Sequence, residues 1–125
     1  MSQTWLRWLI IANVVVGLTA GIGLLVQPTG LLSVLGLQTD PVGTAFARLY
    51  GAELIGFNIA TWLLWNVSPP SRPVVLGHIA NEGLTAVVAA GAAASGLGNL
   101  LVWGLAVLAA TFAIGYAVVA WHETR

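Results

Sequence analysis

Four polar side chains stand in register on an otherwise apolar stretch: His78, Asn81, Glu82 and Thr85, at i, i+3, i+4 and i+7. On an α-helix that spacing puts all four on one narrow face. Val74-Val75-Leu76-Gly77 precedes them and Ala86-Val87-Val88-Ala89-Ala90 follows, a setting that reads as embedded in lipid. A charged side chain at mid-depth in a bilayer costs about 2.5–3.5 kcal/mol on insertion scales. An acid and an imidazole in that position can exchange a proton, hold a cation or hydrogen-bond a polar ligand. The plainer reading is hydrogen-bonding glue between helices, worth about 0.6 kcal/mol per contact. Asn81 and Thr85 suit glue; Glu82 and His78 exceed what it needs.

A second acid lies at the same depth. Glu53 is ten residues beyond Gly43, roughly 15 Å along a helix rising 1.5 Å per residue. Glu82 is eight residues beyond Val74, roughly 12 Å from the opposite end of its own helix. In a hydrocarbon layer ~30 Å thick both carboxyls fall near the midplane. Asn13 reaches a similar level and Asn58 matches His78, so one internal cluster of Glu53, Asn58, His78, Asn81 and Glu82, extended by Asn13, is expected. Two carboxyl groups so placed in low dielectric cannot both ionise cheaply, and at least one is expected to hold a proton at neutral pH. Arg48 precedes Glu53 by five residues, about 140° around the helix. It is therefore placed to snorkel outward or reach another helix.

Tyr50, Glu53, Gly56 and Phe57 share a face, an aromatic wall beside an acid that suits a flat or cationic ligand. His78, Glu82 and Glu53 together offer three ligands to a divalent ion. Carboxylate metal sites in bundles use more acids and two histidines, and His122 lies beyond the end of the last span, so no metal is assigned. No Ser, Cys or Lys falls beside His78 in the expected core, which leaves nucleophilic catalysis without a nucleophile.

The elements that position these residues follow from composition. Of 125 residues, 58% are hydrophobic and 6% charged, against about 25% charged in a soluble domain. Four arginines and no lysine give no basic patch for nucleic acid. The lack of cysteine removes disulfides and thiolate chemistry together. Four segments approach the ~20 residues a bilayer requires: about 5–26, 43–66, 74–95 and 99–121. The breaks are the 16 residues from Gln27 to Val42, the proline-rich link from Val67 to Pro73, and a Gly96-Leu97-Gly98 turn. Asp40-Pro41 supplies an N-cap and a first-turn proline to the second span. Leu31 to Leu37 reads as a short interfacial helix. The expected fold is one all-α domain, a compact up-down bundle of four transmembrane helices. The short links make its second, third and fourth spans sequential neighbours.

Arg7, Arg72 and Arg125 share one side in that topology, which places both termini in the cytoplasm. Trp5, Trp8, Trp62, Trp65 and Trp121 then form an aromatic belt on that side, with Trp103 toward the other. The first span is too long for a signal-peptide core and is read as retained. The sequon Asn66-Val67-Ser68 is followed by proline on the cytoplasmic side and is discounted. Gly17-Leu18-Thr19-Ala20-Gly21, Ala52 to Gly56 and Gly91 to Ser95 are small-x-x-x-small patterns, marks of close helix packing or of a dimer seam.

The four-span plan, and the run Phe46-Ala47-Arg48-Leu49-Tyr50-Gly51-Ala52-Glu53-Leu54-Ile55-Gly56 opening the second span, resemble the DoxX-like group of small bacterial membrane proteins. That resemblance implies an accessory role beside a membrane redox partner, with quinone as the associated cofactor and Arg48 as the carried-over position. From the residues themselves, the expected function is binding of a small lipophilic or cationic ligand at Glu53, His78, Asn81, Glu82 and Asn58, with Arg48, Tyr50 and Thr85 along the approach. The rival classes are a proton-coupled transporter acting as a homodimer, and an acid–base enzyme that works on a lipid or isoprenoid through His78 and Glu82.

Overall fold

Helix breakers divide the chain. The computed structural model describes residues 3–67 and 72–123; part of the proline-rich link, Ser68 of the sequon and Arg125 lie outside the described residues. Five α-helices follow in order: α1 (Gln3–Val26), α2 (Pro28–Val34), α3 (Pro41–Val67), α4 (Arg72–Ala94) and α5 (Leu100–Glu123). The protein is all-helical across the described residues. Three helices, α1, α4 and α5, are long and apolar enough to cross a membrane. The 27-residue α3 has the length, but Arg48, Glu53 and Asn58 interrupt its apolar run and it is not among those three.

The short helix forms over Pro28–Val34, three residues earlier than its hydrophobic run suggests. Pro28 has no N–H to lose in a first helical turn and its φ is already helical, so the proline that ends α1 also begins α2. Gly36 then stops α2 in a left-handed conformation, φ +70°. The N–H of Gly36 donates to Ser33 O and that of Leu37 to Leu32 O, both at 2.9 Å, a Schellman closure. The same device ends α4 at Gly96 (φ +78°), with Leu97 N–H donating to Ala92 O at 3.0 Å. At the start of α3, the Asp40 carboxylate accepts the Gly43 N–H at 2.7 Å, the cap read from the sequence.

The helices associate as two close pairs, α1 with α3 and α4 with α5. The α1–α3 pair rests on bare backbone. A Cβ added to Gly21 would stand 2.9 Å from Gly51 O, and one added to Gly51 would stand 2.7 Å from Gly21 O. Four residues before Gly21, the Asn58 amide occupies the space a Gly17 side chain would fill. The Gly17–Gly21 motif is therefore consumed within the chain. Gly56, by contrast, has open space around it.

The second and third spans were expected to pack as direct neighbours. Instead, α3 lies closest to α1, and among the described residues it meets α4 through long side chains rather than by close backbone approach. The physical reason is residue size. α3 offers Gly51 to α1 but Tyr50 and Phe57 to α4, and large side chains hold two backbones apart.

Two features join the pairs. Toward the chain's N-terminal end, Leu6, Ile10 and Val14 of α1, Val75 of α4, and Phe112, Tyr116 and Val119 of α5 form one buried core. At the opposite end the α2–α3 connection is stapled to the α4–α5 turn: Asn99 N–H donates to Leu35 O at 2.8 Å and Asn99 Nδ2 to Val34 O at 2.9 Å. Asn99 Oδ1 also accepts the Leu101 N–H at 2.9 Å, capping α5. Asn99→Ala should lose both side-chain bonds, lowering stability by about 1–2 kcal/mol and the thermal midpoint in detergent with it. An unchanged midpoint would show that the staple carries no weight.

Outward, the surface is apolar: Val15, Ile22, Leu63, Leu84, Val87 and Ile114 are all exposed. An apolar exterior around buried Asn13, Asn58, Thr61 and His78 inverts the usual soluble pattern and is that of a membrane protein.

Candidate functional site

The polar side chains gather on the seam between the two helix pairs, at three levels. Nearest the Asn99 staple, Tyr50 OH of α3 and Thr85 Oγ1 of α4 lie 3.5 Å apart. At the middle level, Asn13 Nδ2 of α1 donates to Glu82 Oε1 of α4 at 2.6 Å. Asn81 also hydrogen-bonds Glu82. Deepest in the core, the His78 ring stacks on Tyr116, with centroids 4.5 Å apart and planes 15° from parallel. Phe57 tilts against the same ring, with centroids 4.8 Å apart.

The hydrogen bonds of His78 fix its tautomer. Thr61 has one hydroxyl hydrogen, which it donates to Phe57 O at 2.9 Å. Its oxygen also lies 3.1 Å from His78 Nε2. Both contacts are satisfied only if Nε2 carries the hydrogen and Thr61 accepts it, which leaves Nδ1 as a bare lone pair. The ring is wholly buried, with 0% exposure.

Of the residues singled out in the sequence, the structure assembles His78, Asn81, Glu82, Tyr50 and Thr85 along this seam. Asn58 is instead buried within the α1–α3 pair, its amide against Gly17 and donating to Leu54 O. Glu53 and Arg48 stand apart. Both are exposed, and neither has a hydrogen-bond or ion-pair partner among the described residues. The expected close pair of Glu53 and Glu82 is therefore not formed. Depth along a helix is fixed by residue count, but direction is fixed by the angle around its axis. Tyr50 and Phe57 point across to α4; Glu53, between them in sequence, lies on the flank. The three potential ligands His78, Glu82 and Glu53, to which the sequence assigns no metal, are likewise not brought together. Among the described residues no three His, Cys, Asp or Glu side chains converge on a metal position.

Two members of the seam escaped sequence reasoning. Thr61 follows Asn58 by three residues, and that same-face spacing was a usable signal. Tyr116 is the sole tyrosine in an otherwise apolar last helix and gives no periodic pattern. Asn13, a marginal candidate by depth alone, is the direct partner of Glu82.

No protein-family model, curated protein or solved structure matches this chain. The chemistry must be read from the seam itself. It offers one half-buried carboxylate steadied by two amides, flanked by two hydroxyls on one side and a buried imidazole on the other. Such a set binds cations and hydrogen-bond donors, and it exchanges protons.

Proposed function

We propose that this chain is a four-span protein of the bacterial inner membrane, with both termini cytoplasmic, that binds a small cationic or lipophilic ligand on the seam at Glu82. The observation that carries this reading is the Glu82 carboxylate, half-buried and held by Asn13 at 2.6 Å. A carboxylate oriented by amides in a partly dry setting is a prepared partner for a cation. The approach runs between Tyr50 and Thr85, where Tyr50 is exposed and Thr85 half-buried. Tyr50 and Phe57 supply aromatic surface beside it, which suits a lipophilic cation. The 27 residues of α3, about 40 Å of helix, and its close packing along α1 support counting it as the fourth span. Arg7 and Arg72, at the end that carries exposed Trp5, Trp8 and Trp121, support the orientation.

A proton-coupled carrier is the second reading, and one observation favours it. Each helix pair packs closely within itself, while the two pairs approach each other much less closely and meet at polar side chains. Two rigid bodies joined that way can rock about the seam. The DoxX-like resemblance would add a redox partner and a quinone, with exposed Arg48 as the contact.

Tetraphenylphosphonium, an aromatic lipophilic cation, tests the binding reading. Titrated into detergent-solubilised protein and followed by calorimetry, it should bind saturably with one site per chain. Tyr50→Ala should weaken that binding about tenfold, roughly 1.4 kcal/mol. Absence of saturable binding would overturn the cation reading.

A further inference from the structure

With α3 as the fourth span, Arg48 and Glu53 are charged side chains on the outside of a helix in lipid. Arg48 is the eighth and Glu53 the thirteenth of the 27 residues of α3. Both are exposed, and neither has a partner among the described residues. Ionisable groups at membrane depth are costly, and as a rule they face a protein interior, water or one another. These two cannot meet on one helix, because the five residues between them turn about 140°. Arginine is long enough to snorkel toward the surface, but the Glu53 side chain, at mid-length, has no such reach. The pair calls for a cover from outside the chain.

The face that carries them has a repeat. Leu49, Ala52, Gly56, Ile59 and Leu63 are all exposed, in steps of three, four, three and four, the spacing of a helix–helix seam. Gly51, Leu54, Asn58 and Thr61 are buried on the opposite side of α3, so this stripe is turned away from α1 and α4. A Cβ added to Gly56 would meet nothing within 4 Å; with Ala52, it leaves room for a second backbone to come close. Arg48 lies on one flank of the stripe, just before Leu49, and Glu53 lies on the other, just after Ala52.

That arrangement is self-complementary. Where two parallel helices pack along such a stripe, the flank before the seam on one faces the flank after it on the other. The residues brought together there differ by five positions, which is the separation of Arg48 and Glu53. A twofold axis makes the contact twice, since an isologous interface brings i to j and j to i. We propose that the outer face of α3 is the interface of a parallel homodimer, in which Arg48 of each copy pairs with Glu53 of the other across the Leu49–Leu63 stripe. Antiparallel helices would set each flank against itself, arginine by arginine and glutamate by glutamate. Two copies inserted the same way are parallel, as the charges require. A lipid phosphate would satisfy Arg48 alone and leave Glu53 and the stripe bare. The interface rests on α3 being a span, and it is independent of ligand binding at Glu82.

The chain has no cysteine, so single cysteines report the contact cleanly. In membranes treated with a mild oxidant, Ala52→Cys should form disulfide-linked dimers about fivefold more than Val107→Cys, which is exposed on α5. A disulfide needs Cα atoms about 4.4–6.8 Å apart, a separation that the seam supplies. In the Ala52→Cys background, Glu53→Arg should cut the dimer yield about fivefold, because like charges then face each other. Adding Arg48→Glu should restore the yield to within about twofold, since both pairs are then reversed. Glu53→Gln should also lower the yield, and it serves if Glu53→Arg does not insert. Val42→Cys and Leu64→Cys, at the two ends of α3, should take up a membrane-impermeant maleimide from opposite sides. Same-side labelling would remove the span and the interface together. Opposite-side labelling with Ala52→Cys linking no better than Val107→Cys would overturn the interface alone. A double reversal that fails to restore the dimer would do the same, leaving the span and the Glu82 site standing.

Discussion

Gly51→Leu should part α1 from α3 and leave little folded protein. A Cβ at position 51 would meet Gly21 O at 2.7 Å, and Leu24 Cβ and Leu25 N each at 2.9 Å. Two of those atoms are helix backbone and the third is fixed to it, so none can swing aside. Overpacking of a tight site costs about 1–3 kcal/mol even where neighbours can yield. Here a leucine must displace a whole helix, and a loss of at least ~3 kcal/mol is expected. The readout is thermal unfolding and monodispersity in mild detergent. Gly56→Ala, five residues along the same helix, meets nothing within 4 Å and should change stability by less than about 0.5 kcal/mol. A Gly51→Leu protein as stable as wild type would mean that the α1–α3 contact is not the one described.

Glu82→Gln should abolish most cation binding while the fold survives. Glutamine keeps Oε1 as an acceptor for Asn13 Nδ2, so the 2.6 Å contact persists in neutral form. Only the negative charge goes. A charge-assisted bond in a partly dry site contributes about 2–3 kcal/mol, so tetraphenylphosphonium affinity should fall roughly 30- to 150-fold. Glu53→Gln is the discriminating companion. Glu53 is exposed on the flank of α3, and its loss should leave affinity within about twofold, since exposed charges are well screened. Equal losses in both variants would place the cation elsewhere on the surface.

The contrast between those two acids shows what the sequence can and cannot yield. Segment lengths, the Asp40 cap and the Gly96 stop were legible because they depend on local chemistry alone, whereas Gly36 ends α2 inside the run read as helix. The His78–Thr85 stripe was legible for the same reason: i, i+3, i+4, i+7 is a statement about one helix. Glu53 misled because its placement needed a second quantity, the rotation of α3 about its axis, which is set by Gly21 and Gly51 locking together. Pairing of helices was also beyond sequence reading. Link length suggested α3 beside α4, but the sizes of Gly51, Tyr50 and Phe57 decided which neighbour came close. Tyr116 shows the limit from the other side, since a single phenol on a largely apolar helix acquires meaning only when His78 stacks on it.

The central claim is that α1 and α4 meet through Asn13 and Glu82 across a polar seam. Solid-state NMR in lipid bilayers tests it directly, as the dipolar coupling between a 15N label in the Asn13 side chain and a 13C label at the Glu82 carboxyl. The account predicts the strong coupling of a hydrogen-bonded pair, one that persists in Glu53→Gln. Absence of measurable coupling in well-folded protein would contradict it.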